Sequence, residues 1–197
     1  MDMGVFPPDV STTGYLVDRL FWLATVLTGV AFLLVVGALG YFLLRYRARA
    51  GRRAYYTHGD SRGALWMTGG LAILVFFLID VNLAYHDHHV WNAVWGSPPR
   101  ATEALRVQIM PEQFAWNIRY AGPDGIFRTA DDVTTINQLH IPVDRPVVVQ
   151  LNSKDVIHSF FLPNLRIKMD AVPGMVTSLY FQTTQPGTYD IACAEHC

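Results

Sequence analysis

Tyr189-Asp190-Ile191-Ala192-Cys193-Ala194-Glu195-His196-Cys197 holds the only two cysteines of the chain, four residues apart. It is read together with Asp155-Val156-Ile157-His158-Ser159-Phe160. On a helix that cysteine spacing would put both thiols on one face. Pro186-Gly187 followed by the β-favouring Thr188-Tyr189-Asp190-Ile191 predicts instead a strand running into a tight loop. Thiolates with a histidine nitrogen are soft donors, suited to copper, zinc or iron–sulfur rather than a hard cation. Three readings of the pair stand side by side. One is a disulfide, natural for a domain outside the cytoplasm. The second is a zinc site, which needs another close ligand pair that the upstream sequence lacks. The third is a copper site on a β-barrel, with His158 arriving from a separate strand.

Working outward, 105–109 and 114–120 alternate apolar and polar residues as half-buried strands do. Further short strands are predicted over 136–141, 147–151 and 176–181. Strands spaced by roughly 8–12 residues, with Pro and Gly between them, indicate an all-β sandwich or barrel. Pro123-Asp124-Gly125 supplies turn chemistry. The nearby Asp124, Asp131 and Asp132 raise calcium as a reading, but a solvated hairpin end is the expectation.

Before residue 86 the composition changes. Hydrophobic residues make up 51% of the chain and charged ones 16%, and the apolar excess sits in this first part. Residues 20–44 contain no charge and reach about 37 Å as a helix, enough to cross a hydrocarbon core of roughly 30 Å. A signal peptide would follow a basic segment, whereas Asp2, Asp9 and Asp18 precede this run. Residues 63–85 make a second span, with Asp80 placed near its end as an interfacial anchor. Arg45, Arg47, Arg49, Arg52, Arg53 and Arg62 lie between the spans, opposed only by Asp60. Short Arg-rich loops stay in the cytoplasm, so both termini are expected outside, periplasmic or equivalent. His86-Asp87-His88-His89 follows directly, a cluster read as interfacial rather than metal-binding. Ser97-Pro98-Pro99 breaks the helix before the outer domain. The net charge of −1 gives no electrostatic case for nucleic acid. The expected layout is an outer segment 1–19, span 20–44, basic loop 45–62, span 63–85, linker 86–104 and β domain 105–197.

Three strings resemble subunit II of cytochrome c oxidase, a haem–copper oxidase family. They are Asp155-Val156-Ile157-His158-Ser159-Phe160, then 162–174 (LPNLRIKMDAVPG), then Cys193-Ala194-Glu195-His196-Cys197. The family patterns are D-V-x-H-S-F/W, P-x-L-x-x-K-x-D-A-x-P-G and C-x-E-x-C-G-x-x-H-x-x-M. The resemblance implies a two-helix transmembrane hairpin followed by a cupredoxin-like Greek-key barrel. It implies a binuclear copper centre, CuA, with His158, Cys193, Cys197 and the Glu195 carbonyl as ligands. A second histidine and a methionine complete that centre in the family, and neither follows here. The chain is therefore read as truncated within the motif, with its last strand missing, and is expected in this form to hold copper poorly or not at all. The Glu195 carboxylate would also reach a magnesium ion shared with the catalytic subunit. Phe160, Phe161, Leu162 and Ile191 would form an apolar shell around the ligands.

Gln113-Phe114-Ala115-Trp116 resembles the family's Q-W-x-W, with Phe114 at the position where electrons enter and Trp116 matching the second tryptophan. Asp155 is assigned to donor docking and Asp170 to a water network. Gly63 and Gly70 stand where the family has a proton-path glutamate and a proline. By resemblance, this subunit passes electrons from a c-type cytochrome to subunit I of an oxidase that reduces dioxygen to water, with subunit III and the bilayer as further partners. Its rivals are the copper-free subunit II of a quinol oxidase, a membrane-anchored copper assembly or sensor protein, and a purely structural buttress. Cys193 and Cys197 argue against the quinol branch, which has lost those ligands.

Overall fold

The computed structural model describes residues 4–53, 56–96, 98–100 and 102–196. It divides into a helical unit, Arg19–His89, and an outer unit made of Met1–Asp18 and Val90–Cys197.

Helix α1 runs Gly14–Arg45. Its entry is capped by Ser11, whose hydroxyl accepts from the Gly14 amide at 2.6 Å. Helix α2, Arg62–Val75, starts at Ser61, whose side chain accepts from the Ala64 amide. A π-helical stretch, Phe76–Val81, leads into α3, Asn82–Trp95. The runs Gly14–Arg45 and Arg62–Trp95 are each long and apolar enough to cross a membrane, and no residue of their apolar windows is buried. With no neighbour among the described residues to cover them, those apolar side chains need lipid or a partner.

Two expectations change here. The segment read as a linker, 86–104, is helical as far as Trp95, because nothing in His86–Trp95 breaks a helix before Gly96 and the prolines beyond it. Asp80, expected near the end of a span over 63–85, lies in the π-helical stretch of this longer helix.

The outer unit is a two-sheet β domain. Its strands are β1 Leu105–Glu112, β2 Ala115–Tyr120, β3 Val133–Ile136, β4 Val147–Leu151, β5 His158–Leu162, β6 Ile167–Ala171, β7 Thr177–Phe181 and β8 Ala192–Cys193. One sheet has the order β3-β2-β1-β4-β7 and the other β6-β5-β8. β1 pairs antiparallel with β2 and parallel with β4, so it sits at the centre of the larger sheet. Such mixed pairing needs long crossovers, and the sheets they connect bury apolar residues between them. Val107, Ile109, Ile118, Val147, Val149, Leu151, Phe160 and Leu179 are fully buried there. Each contributes roughly 1.5–3 kcal/mol through its removal from water. This is the cupredoxin-like domain expected from the sequence.

The strand expected over 136–141 is displaced to Val133–Ile136. Asn137 ends it by taking a left-handed conformation at φ 59°, with its amide donating to the Trp116 carbonyl. β6 is a strand that alternation did not reveal, because its short Ile167-Lys168-Met169-Asp170-Ala171 run was read only as a motif.

The segment before α1 is bound to this domain. Val10 is buried, its amide donating to the Asn164 carbonyl and its carbonyl accepting from Thr184. Arg166 stands in the left-handed region at φ 55°. Its guanidinium donates to both carboxylate oxygens of Asp18, at 2.7 and 3.0 Å, and to the carbonyls of Pro7 and Pro163. The Phe6 ring lies 5.3 Å from the same group. Bidentate Arg–carboxylate geometry on a mostly buried guanidinium is the strong form of this interaction.

The acidic loop satisfies itself. Asp132 accepts from Arg119 and from the Arg128 amide. Asp131 accepts from the Thr129 hydroxyl at 2.6 Å and from the Asp124 amide at 3.4 Å. Gly122 is required here because a Cβ would collide with the Asp131 carboxylate. The Thr129 hydroxyl is the main cause holding Asp131 below the usual carboxylate range.

Arg166→Ala leaves Asp18 and two carbonyls without their donor, so the outer domain should lose about 2 kcal/mol in denaturant unfolding followed by tryptophan fluorescence. A depressed carboxylate contributes stability above its unfolded value that disappears as pH falls through the folded one. Thr129→Val should therefore raise the Asp131 midpoint toward 3.8, read by NMR titration of its carboxyl carbon.

Candidate metal centre

His158 opens β5, opposite Ala171 of β6, and is 3% exposed. A buried imidazole needs a partner, and Asp155 supplies it, with Oδ1 at 2.8 Å from Nε2. That carboxylate is itself fixed. Oδ2 accepts from the Gln113 amide at 2.7 Å, and Oδ1 accepts from the Val156 amide at 2.7 Å. The hydrogen bond with His158, then those two amides, bring the Asp155 pKa down to about 2. The Asp155 amide donates to Ser153 Oγ, which in turn donates to the Val156 carbonyl. A carboxylate on one ring nitrogen orients the ring and leaves Nδ1 as its ligating nitrogen, the arrangement typical of metal-bound histidine.

β8 lies on the other side of β5. Its register pairs Cys193 with Phe160 and Ala192 with Phe161, and the Ala194 amide donates to the Ser159 carbonyl at 3.0 Å. Continued by two residues, this register sets Glu195 level with His158. Cys193 is exposed, and its Sγ lies 3.6 Å from the Glu195 carbonyl oxygen. The loop thus turns that carbonyl toward the sulfur. The Glu195 carboxylate accepts from the His196 amide at 3.4 Å. Cys197 lies outside the described residues, and among the described residues no three His, Cys, Asp or Glu side chains form a metal-sized group. A thiol, an imidazole braced by a carboxylate and a carbonyl on the cysteine loop nonetheless match copper in donor chemistry.

Around these groups the apolar residues divide. Phe160 and Leu162 are buried in the core, whereas Phe161 and Ile191 are half-buried. Trp116 packs edge-on against both His158, 6.3 Å between ring centres, and Phe160, 5.4 Å. Its backbone is held by Asn137, whose Oδ1 accepts from the Trp116 amide at 2.7 Å. Phe114 is 82% exposed on the loop joining β1 to β2. That same loop supplies the Gln113 amide to Asp155, and of the two aromatic residues of this string it is Trp116 that packs against His158. Asp170 accepts from the buried Ser159 hydroxyl at 2.6 Å.

Sequence reading missed the bracing of His158, having assigned Asp155 to docking alone. The signal was present in the D-V-x-H spacing, where a loop carboxylate three residues before a buried histidine folds back onto its ring. Asn137 carried no motif and was found only in the structure.

The family model for cytochrome c oxidase subunit II, periplasmic domain, matches residues 107–197. The alternative cytochrome c oxidase subunit 2 of Bradyrhizobium diazoefficiens is 33% identical over an alignment covering 96% of this chain and 73% of that protein. The cytochrome c oxidase subunit 2 of Thermostichus vulcanus is 31% identical, covering 98% and 71% respectively. The solved periplasmic domain of cytochrome oxidase subunit II from Bradyrhizobium japonicum aligns with 51% of this chain and 78% of its own, at 24% identity and a TM-score of 0.43. With the apolar helices, the β domain and full-length similarity all in agreement, the chain belongs to the cytochrome c oxidase subunit II family.

Proposed function

We propose that this chain is the electron-entry subunit of a respiratory haem–copper oxidase, holding a CuA centre through His158, Cys193, Cys197 and the Glu195 carbonyl. The observation that carries the reading is the buried His158 ring, braced by Asp155 beside the strand that bears Cys193. Held by these residues, copper would supply a one-electron centre with thiolate and imidazole donors. Asp155 fixes the His158 ring so that Nδ1 is the donor, and it stays ionised far below neutral pH. The β5–β8 pairing sets the cysteine loop against the histidine strand. Phe160 and Trp116 keep water from the inner side of the ring.

Phe114 offers an exposed aromatic surface to a c-type cytochrome, and Trp116 stands between that loop and His158. A phenylalanine lacks the electron-rich indole, so its part in entry is contact rather than relay. Asp155 has both oxygens engaged by Gln113, Val156 and His158, and contributes to docking only by its charge. The Glu195 carboxylate, on the exposed face of the loop, suits a magnesium ion completed by the catalytic subunit. The Arg-rich segment between the helices argues for a cytoplasmic loop, with the β domain and both termini on the outer side. The layout carried forward is that of the sequence reading, with the second helix extended to Trp95.

The protein in its natural full-length form should bind copper and show a copper–thiolate visible absorption. Cys193→Ser should abolish that absorption, and a folded wild-type protein that takes up no copper would refute the assignment. Asp155→Asn keeps the side-chain volume but weakens the brace. Copper affinity, measured by chelator competition, should fall about 10–100-fold while the far-ultraviolet circular dichroism is unchanged.

A further inference from the structure

The basic segment after α1 has a shape as well as a charge. Arg45 ends the helix, and the chain then folds back through a turn closed by the Arg52 amide donating to the Arg49 carbonyl at 3.2 Å. Gly51 takes φ 79° at the turn position that requires a left-handed residue. The turn brings Arg49 and Arg52 back to the helix end. There they line, with Tyr41, Leu44 and Arg45, a cleft of about 380 Å³.

Three features define what this cleft accepts. Its cationic wall is made of guanidinium groups, which match phosphate oxygens bidentately. No described carboxylate pairs with Arg45, Arg49 or Arg52, and Asp60 is the only acid in 45–62. Its other wall is Tyr41 and Leu44, the last residues of the uncharged stretch that ends at Arg45. The cleft therefore straddles the level at which a helix leaves hydrocarbon for the headgroup layer, where an aromatic residue is at home.

We propose that Arg45, Arg49 and Arg52 form a binding site for the phosphate of an anionic phospholipid headgroup, with Tyr41 and Leu44 receiving the start of its acyl chains. The shared chemistry is a phosphate monoanion or dianion. The apolar wall favours the lipid over free phosphate, because inorganic phosphate gains nothing from Tyr41 or Leu44. The site is separate from the metal centre and rests only on the helix end reaching the bilayer surface. Basic residues beside a membrane helix generally attract anionic lipid as a diffuse field. The cleft is narrower than that field: Arg45, Arg49 and Arg52 bind the phosphate, and Arg47 and Arg53 do not.

The test uses the chain purified with its partner subunits in neutral detergent and stripped of lipid. Phosphatidylglycerol is titrated in, and its retention is read by native mass spectrometry. The wild-type complex should retain phosphatidylglycerol in preference to phosphatidylcholine. Arg45→Gln with Arg49→Gln should weaken retention about tenfold. Arg47→Gln with Arg53→Gln removes the same charge outside the cleft and should leave retention within about twofold of wild type. Equal losses from the two double variants would reduce the site to a diffuse field and overturn the proposal. So would displacement of the lipid by excess inorganic phosphate, or no retention at all in a complex with intact subunit composition.

Discussion

The carboxylate of Asp155 accepts hydrogen bonds from three places: the Gln113 amide in the loop joining β1 to β2, the Val156 amide in its own loop, and the His158 ring at the start of β5. The candidate centre depends on that convergence. A buried imidazole with no carboxylate would be free to take other ring orientations, in which Nδ1 would not be presented as a ligand. The low pKa of about 2 follows from the same three donors, and it keeps the acceptor ionised throughout the range in which a protein operates. Local geometry and electrostatics are one arrangement here.

That loop cluster is positioned by the sheets. β5 lies between β6 and β8, so the histidine strand touches both the K-x-D strand and the cysteine strand. Ser159, alternating to the opposite face from His158, donates to Asp170 across the β5–β6 pair. Phe160, alternating back, enters the core and meets Trp116 of the other sheet. Three successive residues thus connect a candidate ligand, a neighbouring strand and the hydrophobic interior. The D-V-x-H-S-F string reads as a functional motif, yet half of its constraint is packing.

Legibility in the sequence followed the range of the interactions involved. The apolar helices were visible because a continuous run of twenty or so uncharged residues has few other homes. Strands β1 and β2 were visible through alternation, and β4 and β7 as short runs spaced by Pro and Gly. β3 was misplaced because Asn137 stops it through a left-handed backbone and a hydrogen bond to Trp116, and a conformation of that kind has no period. The helix through His86–Trp95 was read as a linker because its polar residues look like an interface, although no breaker interrupts them. Of the candidate site, His158, Cys193 and the Glu195 carbonyl came from spacing and family resemblance. The brace on His158 came only from three-dimensional structure, since the Gln113 amide lies 42 residues away from Asp155 in the chain.

The clamp on Arg166 shows how distant parts of such a chain are made to cooperate. The guanidinium sits at the turn between β5 and β6, one strand's length from His158, and it holds the segment preceding α1 through Pro7 and Phe6 and the start of α1 through Asp18. Val10 then completes the hydrophobic core from that same segment. A residue near the N-terminus is therefore part of a core whose other buried members lie more than eighty positions later. The left-handed backbone at Arg166 is unfavourable for a long side chain, by about 1 kcal/mol, and the bidentate ion pair and the two carbonyl contacts offset it. An arginine is kept where glycine would fit more easily because the fold uses its side chain to tie the first segment of the chain to the strand that presents the histidine.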